Sequence, residues 1–186
     1  MYDVVIIGAG PAGASAGLLT AKAGKKTLIL DSDKSVTKRA WIENHYGAPD
    51  ITGPDLVETG KKQAEKQGAE IVINEATLIK QGNDGFIVET ENGSYEGKNV
   101  ILASGMAVDL GEKSGVKTKP GTEPRIKSVF DVDNDGKTNI NGIWAAGTCA
   151  GVSMHTIITA GDGAKVAINL ISELNGERYV DHDVLK

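Results

Sequence analysis

The segment VVIIGAGPAGASAG, residues 4–17, decides the fold. Its first four residues are β-branched and predict a buried strand, and the helical pattern that follows begins at a proline, as helices often do. Between the two lie Gly8, Gly10 and Gly13, in the spacing that brings backbone amides against a dinucleotide pyrophosphate at a helix N-terminus. We expect Gly8 to permit a tight turn, Gly10 to let the backbone approach the phosphates, and Gly13 to let the helix pack closely on the sheet.

The second strand supplies the next part of this pattern. An apolar run over Lys26–Leu30 follows the predicted helix Pro11–Ala23, and Asp31 stands where the strand ends. A carboxylate in this position after the glycine turn accepts hydrogen bonds from a ribose diol in dinucleotide-binding folds. Glycines occur in many strand-to-helix turns, but here the strand, the turn, the helix, the second strand and the acid are all in register. The sequence therefore predicts a dinucleotide site.

The rest of the chain continues the alternation of strands and helices. Further strands are predicted at Asn99–Ala103 and Gly142–Ala146, and further helices at Gly53–Gln67 and His155–Leu174. Parallel strands joined by helical crossovers indicate the α/β class with a doubly wound parallel sheet. Between Ile71 and Glu96, short apolar segments separated by turn signals predict an antiparallel β-meander laid on this sheet. We expect residues 1–186 to form a single domain.

Composition excludes several classes of protein. With 186 residues, 40% hydrophobic and 24% charged, the chain is globular in composition, and no apolar run approaches the roughly 20 residues that span a bilayer. The net charge of −5 argues against a nucleic-acid partner. Cys149 is the single cysteine, so an internal disulfide and a CxxC pair are excluded and a reducing, cytoplasmic setting is expected. The 24 glycines are about twice the average share, which suggests backbone packed closely around a bulky ligand.

Several ordered motifs extend beyond the glycine turn. They are Glu43–Gly47, Ile51–Leu56, Ala103–Gly105, Gly142–Gly147 and Thr159–Gly163. Together with the turn, they resemble the FAD domain of thioredoxin reductase and its relatives, and the resemblance runs from end to end of the chain. It implies a Rossmann-like FAD-binding domain with FAD as the cofactor.

The resemblance also implies which residues meet the FAD. The glycine turn would hold the pyrophosphate, Asp31 the adenosine ribose, and Ala76 would lie by the adenine. The start of the last helix would face the pyrimidine edge of the flavin, where helix amides stabilise the negative charge of the reduced ring. The implied cofactor-binding residues are Gly8, Gly10, Pro11, Ala12, Gly13, Asp31, Ser32, Ser35, Val36, Asn44, Ala76, Ala103, Ser104, Gly105, Gly147, Thr148, His155, Thr156 and Ile157. Gly161 and Gly163 are expected to allow close helix packing behind them. No residue is assigned a catalytic role, and no metal is expected.

Several features separate the chain from a complete thioredoxin reductase. Such enzymes insert a nicotinamide-binding domain with a CxxC pair before the closing strand, where this chain has only Met106–Gly142, little more than one crossover unit. No second GxGxxG occurs, so the full relay from NADPH to a dithiol is not expected on this chain. Thr148 stands where relatives have Asp, and Met154-His155 where they have Arg-Gln. These changes concern the redox potential of the flavin rather than its binding.

Two reactive side chains each allow two interpretations. Cys149 is either a packed core residue, as a lone buried cysteine usually is, or a redox thiol. His155 either contacts the flavin or relays protons, titrating near neutral pH, or it only begins the helix.

Asp131–Gly136 resembles the start of a calcium-binding loop but lacks the glutamate at its twelfth position, so a turn is expected there. His182 is expected to be solvated.

These features together predict a minimal FAD-dependent oxidoreductase resembling thioredoxin reductase. Its flavin would take electrons from free NAD(P)H, a ferredoxin or a partner reductase and pass them to an unknown acceptor. Because relatives dimerise through this domain, a homodimer is expected. The alternative is an FAD-binding electron-transfer or sensor module that works only with a partner protein.

Overall fold

The structure is a computed structural model that describes residues 1–181 and 183–185, and His182 lies outside the described residues. The strands are β1 (Tyr2–Ile7), β2 (Thr27–Asp31), β3 (Trp41–Ile42), β4 (Ile51–Thr52), β5 (Glu70–Ile73), β6 (Ala76–Gln81), β7 (Phe86–Thr90), β8 (Gly93–Leu102), β9 (Thr118–Pro120), β10 (Ser128–Phe130) and β11 (Ile143–Ala145). The α-helices are α1 (Pro11–Lys22), α2 (Gly53–Lys66), α3 (Asp109–Lys113) and α4 (Thr156–Asn175). The main sheet has seven strands in the order β5-β2-β1-β8-β7-β6, and β11 also pairs with β8.

The central strands are parallel, as the sequence predicts. β1 pairs in parallel with β2 and β8, and β11 pairs in parallel with β8. α1 begins at Pro11 and stops just before Gly24, whose φ of 75° suits the end of a helix. α4 packs against α1 on the sheet. The α/β class and the doubly wound parallel sheet are confirmed.

The meander differs from its prediction in two ways. The sequence places Ile71 in the meander, but β5 is the parallel edge strand of the main sheet, paired with β2. The meander consists of β6, β7 and the first half of β8, so its last strand is continuous with the strand predicted at Asn99–Ala103. At Gly97, β8 pairs antiparallel with Phe86 on one edge and parallel with Tyr2 on the other. Hydrophobic periodicity identifies strands but does not reveal their neighbours.

Both faces of the sheet are covered, because side chains alternate along each strand. Val4 and Ile6 of β1 lie in one buried cluster with residues of α1 and α4. Val5 and Ile7 lie in a second cluster with Val88 of the meander and with Phe130 of β10. The meander and the stretch that follows β8 therefore cover the face opposite to α1 and α4.

The approach of α1 and α4 depends on one glycine. A side chain on Gly163 of α4 would lie within 2.1 Å of the Ala12 carbonyl oxygen, so the two helices pack this closely only because glycine has no Cβ. Gly161 has open space around it, so the prediction that it serves close packing is wrong. The contact at Gly163 holds the first turns of α4 beside the glycine turn.

Residues 105–142 contain α3 and the two-stranded antiparallel ribbon β9–β10. Phe130 of β10 is buried and packs against Gly111 of α3, which ties the ribbon to the rest of the fold. Asp133 Oδ1 accepts hydrogen bonds from the N–H groups of Asp135 and Lys137, each at 2.9 Å, and so forms the turn predicted before the closing strand.

Within residues 1–181 and 183–185, no helix has the length and apolar character needed to cross a membrane.

Candidate cofactor site

A cavity of about 800 Å³ opens at the carboxyl ends of β1, β2, β8 and β11. Its lining includes Ile7, Asp31, Ala103 and Ala146, which stand at or next to these strand ends. Ligands of doubly wound sheets bind at this edge. The volume lies in the upper part of the roughly 300–1,000 Å³ range of small-molecule and cofactor sites, so the cavity suits a large ligand.

Most of the predicted site residues come together around this cavity. Those that line it are Gly8, Gly10, Pro11, Ala12, Asp31, Ser32, Ser35, Val36, Ala76, Ala103, Ser104, Gly105, Gly147 and Thr148. Gly13, Asn44 and residues 155–157 lie outside the lining, which Met154 and Thr159 reach from the same end of α4. The structure thus gathers residues from the first third, the middle and the last quarter of the chain into one site.

The glycine turn has the geometry that its spacing predicts. Gly8 has a φ of 106°, and a side chain on it would meet the Ala103 carbonyl oxygen at 2.3 Å. Gly13 packs behind the turn, where a Cβ would meet the Gly8 carbonyl oxygen at 1.8 Å. Gly10 has an ordinary φ of −70°, and its nearest neighbour, the Ser35 hydroxyl, would lie 3.2 Å from an added Cβ. The fold therefore requires glycine at Gly8 and Gly13, whereas at Gly10 the bare backbone faces the cavity.

In the described part of the chain, two helix starts at or near the cavity have no side-chain cap, and of the two only that of α1 is formed by residues in the lining. Among the described residues, no side chain caps α1 at Gly10 or α4 at His155. α2, whose residues do not contribute to the described lining, is capped because Asp55 N–H donates to Thr52 Oγ1 at 3.2 Å. An uncapped helix start presents unpaired N–H groups at the positive end of the helix dipole. Such groups favour an anionic ligand.

Asp31 is a buried carboxylate at the end of β2. Lys61 of α2 pairs with its Oδ2, and the two side chains are only 12% and 5% exposed. Asp31 Oδ1 accepts the N–H of Asp33 at 2.9 Å. Within the described part of the chain, Oδ2 is fully buried beside this cation. The charge of this carboxylate is thus compensated inside the protein.

The opposite side of the cavity is formed where β11 ends. Gly147 has a φ of 85°, and its N–H donates to the buried Asp162 Oδ2 at 2.8 Å. Asp162 Oδ1 pairs with Lys165 at 2.8 Å. These contacts hold the turn against α4 and place Thr148 in the cavity lining, where its hydroxyl is available to a ligand.

His155 belongs to a hydrogen-bonded chain next to α4. Ser153 Oγ lies 2.8 Å from His155 Nδ1 and 3.1 Å from Glu123 Oε2. Because a carboxylate only accepts, Ser153 donates its proton to Glu123 and accepts one from His155 Nδ1. This arrangement leaves His155 Nε2 as the acceptor nitrogen of the neutral ring. On the other side, His45 Nδ1 lies 2.9 Å from Thr156 Oγ1 and ties the β3–β4 loop to the start of α4.

Cys149 follows Thr148 but is fully buried. Its thiol donates weakly to the carbonyl oxygens of Leu102 and Ala146, at 3.4 and 3.3 Å. Burial raises the pKa of Cys149 to about 11, so the thiol stays protonated at neutral pH. A protonated, buried thiol is a poor nucleophile, which supports the packing interpretation.

Three polar residues of the site escape prediction from sequence. Lys61 and Asn74 lie outside every quoted motif, and Asp162 stands within one without a role of its own. Each acts through a partner far along the chain or in another element, and sequence spacing gives no sign of such pairs. The site residues predicted at the ends of β1 and β2, in contrast, follow from local sequence motifs alone.

Comparison with known proteins agrees with this geometry. A family model described as pyridine nucleotide-disulphide oxidoreductase matches residues 2–125. The thioredoxin reductase of Aquifex aeolicus is 40% identical over 110 residues, which are 56% of this chain and 34% of that protein. The thioredoxin reductase of Peptoclostridium acidaminophilum is 31% identical over 137 residues, 72% of this chain and 44% of that protein. A thioredoxin reductase structure from Gloeobacter violaceus has a TM-score of 0.81 and 18% identity, covering 100% of this chain and 99% of that one.

These matches differ in what they establish. The chain spans between a third and a half of the length of the two sequence relatives. The structural likeness confirms the Rossmann-like fold of a thioredoxin reductase FAD domain. The family match runs from β1 through the glycine turn and the meander to the region after α3. On this evidence the chain belongs to the pyridine nucleotide-disulphide oxidoreductase family.

Proposed function

We propose that this chain is a single FAD-binding oxidoreductase domain that passes electrons from an external donor to an acceptor. One observation supports this most strongly. A single cavity contains the glycine turn, the carboxylate of Asp31 and the turn Gly147–Thr148. FAD offers a matching group for each: a pyrophosphate, an adenosine ribose and a ribityl chain.

The residues present fit this cofactor. The amides of Ala12 and Gly13 at the uncapped start of α1 would bind the pyrophosphate. The carboxylate of Asp31 would accept a hydrogen bond from a ribose hydroxyl, and the Thr148 hydroxyl would bond to the ribityl chain. Ala76 would lie by the adenine. When bound, the flavin supplies the electron-transfer chemistry, while the chain supplies position and electrostatics.

His155 is the group of this chain best suited to exchange protons at the flavin end. Its Nδ1 proton is held through Ser153 by the carboxylate of Glu123. His155 is an exposed residue at the start of α4. We therefore assign His155 to proton exchange rather than to beginning the helix alone.

The electron donor and acceptor are external in this proposal. Among the described residues, Met106–Gly142 holds α3 and the ribbon β9–β10 and no second glycine turn for a nicotinamide. Free NAD(P)H, a ferredoxin or a partner reductase would supply the electrons. The proposal includes a homodimer, a cytoplasmic location and no partnership with nucleic acid, in keeping with the net charge of −5 and the single cysteine.

The stretch Met106–Gly142 also favours the second candidate function, a module that depends on a partner protein. A flavin domain without its own nicotinamide site could transfer electrons, or act as a sensor, only when a partner protein is docked. In that case the flavin would be reduced by a partner and not by a free nucleotide. The two candidates differ in one measurable property, the reductant that the bound flavin accepts.

The test is an anaerobic titration of the FAD-loaded chain. NADH, NADPH and a reduced ferredoxin are added in turn while the visible absorbance of the flavin is recorded. Reduction by a nicotinamide supports the enzyme, and reduction only by ferredoxin or dithionite supports the partner-dependent module. A purified chain that takes up no FAD contradicts both. His155→Gln tests the assigned proton exchange, because its flavin is expected to be reduced more slowly than that of the wild type while FAD stays bound.

A further inference from the structure

Residues 113–131, the basic segment, are positively charged in a chain that is acidic as a whole. They include the ribbon β9–β10. They carry five of the 20 lysines and arginines of the chain but only two of its 25 aspartates and glutamates, so the rest of the chain holds 15 basic and 23 acidic side chains. The five cations are all exposed: Lys113, Lys117, Lys119, Arg125 and Lys127.

Most of these cations are not neutralised by their neighbours. Both acidic side chains of the basic segment are engaged, since Asp131 pairs with Lys119 at 3.0 Å and Glu123 accepts a hydrogen bond from Ser153 at 3.1 Å. Within residues 1–181 and 183–185, no ion pair is formed by the other four cations, Lys113, Lys117, Arg125 and Lys127. A surface with charge of one sign attracts a partner of the opposite sign and speeds its approach.

The ribbon brings three of the lysines to one face. Lys119 stands opposite Val129 in the antiparallel register. The carbonyl oxygens of Lys117 and Lys127 accept ladder hydrogen bonds at 2.9 and 3.0 Å, so both residues continue the strands. Side chains alternate along a strand, and Lys117 and Lys127 therefore share the face of Lys119. Phe130 lies on the opposite face and is buried in the core.

This lysine face lies beside the end of the cavity where α4 begins. A Cβ added to Gly151 would lie 3.5 Å from Val129 Cγ2, so the lysine face of the ribbon packs against the turn that follows β11. The bond from Ser153 to Glu123 ties the basic segment to the residue before Met154. Met154 is 46% exposed and lines the cavity. An apolar contact flanked by charged residues is the usual composition of a protein–protein interface.

The shape of this surface suits a protein better than a small anion. Of the five cations, only Lys113 contributes to the cavity lining. The others project from an exposed ribbon and turn, whereas small molecules bind in clefts that enclose them. A nucleic acid would extend from the basic segment over the acidic remainder of the chain, where like charges repel it. A compact acidic protein matches both the sign and the extent of the surface.

We propose that the basic segment is the docking surface for an acidic electron-transfer protein, which meets the chain at the flavin end of the cavity beside Met154. This inference rests on the proposed function, because it assumes that the cavity binds FAD. Among the external donors considered there, it selects the ferredoxin type. Two reduced one-electron partners dock in turn and are oxidised, and their two electrons, with two protons from solvent, reduce one flavin fully.

The test measures binding rather than turnover. The FAD-loaded chain is titrated by calorimetry with an acidic 4Fe–4S ferredoxin, and with basic cytochrome c as the control protein, at about 20 and about 300 mM NaCl. We expect ferredoxin to bind at low salt and at least about tenfold more weakly at high salt, and cytochrome c not to bind. A chain that binds FAD but not ferredoxin, or that binds ferredoxin equally at both salt concentrations, would overturn this inference alone. A chain that takes up no FAD would contradict the proposed function instead.

Two double variants with the same change in net charge locate the surface. Lys117→Gln with Lys127→Gln is expected to weaken ferredoxin binding at low salt at least about fivefold while FAD stays bound. Lys62→Gln with Lys66→Gln, on α2, is the matched control and is expected to change it by less than about twofold. Equal effects of the two pairs would overturn the assignment. So would a loss of affinity for NADPH or for a short DNA duplex in the first pair with unchanged affinity for ferredoxin.

Discussion

Cys149 shows how burial decides the chemistry of a single residue. Burial raises its pKa to about 11 from its ordinary value of 9.0, which lowers the thiolate fraction at pH 8 about 100-fold. We expect iodoacetamide to modify Cys149 at least 100-fold more slowly in the folded chain than in guanidinium. Mass spectrometry over a time course measures both rates. Rapid alkylation of the folded chain would contradict the packing interpretation and support a redox role for this thiol.

Lys61 and Lys62 are neighbours on α2 with different environments. Lys61 pairs with buried Asp31, whereas Lys62 makes an exposed ion pair with Glu58 at 3.4 Å. Removing one member of a buried pair leaves an uncompensated charge. We expect Lys61→Met to lower the free energy of unfolding by about 2–4 kcal/mol, and Lys62→Met to lower it by less than about 0.5 kcal/mol. Urea denaturation measures both.

A double substitution separates this charge effect from loss of packing. Asp31→Asn removes the carboxylate that Lys61 compensates. We expect Lys61→Met to cost less stability in the Asp31→Asn background than in the wild type, because no charge is then left buried. Equal costs in the two backgrounds would mean that the pair contributes nothing beyond the packing of the lysine stem.

At the scale of elements, Asp3 connects three strands at the amino-terminal edge of the sheet. Its Oδ2 accepts the Lys26 N–H just before β2, and its Oδ1 pairs with Lys98 of β8, each at 3.0 Å. The bond from Lys98 is the main reason that the pKa of Asp3 lies below its usual 3.8. A depressed pKa means that the carboxylate stabilises the fold above pH 3.8 and loses this effect as pH falls through the folded-state value.

The comparison of Asp3→Asn with the wild type tests this linkage. The wild type is expected to be the more stable at pH 6, by less than about 1 kcal/mol because the pair is partly exposed, and the difference should shrink as pH falls below 3.8. Urea unfolding at several pH values measures it, with Asp84→Asn in the exposed β6–β7 turn as the control. A difference that grows towards low pH would contradict the assigned direction.

The elements also show what sequence patterns can and cannot predict. The unit β1–α1–β2 follows from residues 4–31 alone, because an apolar run, a glycine spacing and a helix start are local signals. The edge position of β5 and the continuity of β8 do not follow. Both depend on which strand lies alongside, and an apolar run such as Ile71–Ile73 has the same hydrophobic pattern in a parallel sheet and in a meander.

The same division holds for the whole molecule. Residues of the glycine turn, Asp31, and Gly147–Thr148 are identified from motifs and come together in one cavity. Lys61 and Asn74 are absent from the prediction, because their importance arises from burial beside Asp31 and is created only when Lys61 of α2 contacts Asp31 and β5 pairs with β2. Sequence thus predicts the groups that would touch the cofactor, while packing adds the groups that hold them in place.

The central claim is that the bare backbone at Gly10 lies against the pyrophosphate of a bound FAD. Gly10 tests it most directly, because its φ of −70° admits any residue and an added Cβ would press only on the Ser35 side chain, at 3.2 and 4.0 Å. The decisive measurement is a calorimetric titration with FAD of the wild type and of Gly10→Val, with thermal unfolding of both apo proteins recorded alongside. The account predicts one FAD per wild-type chain, binding at least about tenfold weaker in the variant, and nearly equal unfolding temperatures. FAD that binds equally well to both proteins, or to neither, would contradict it.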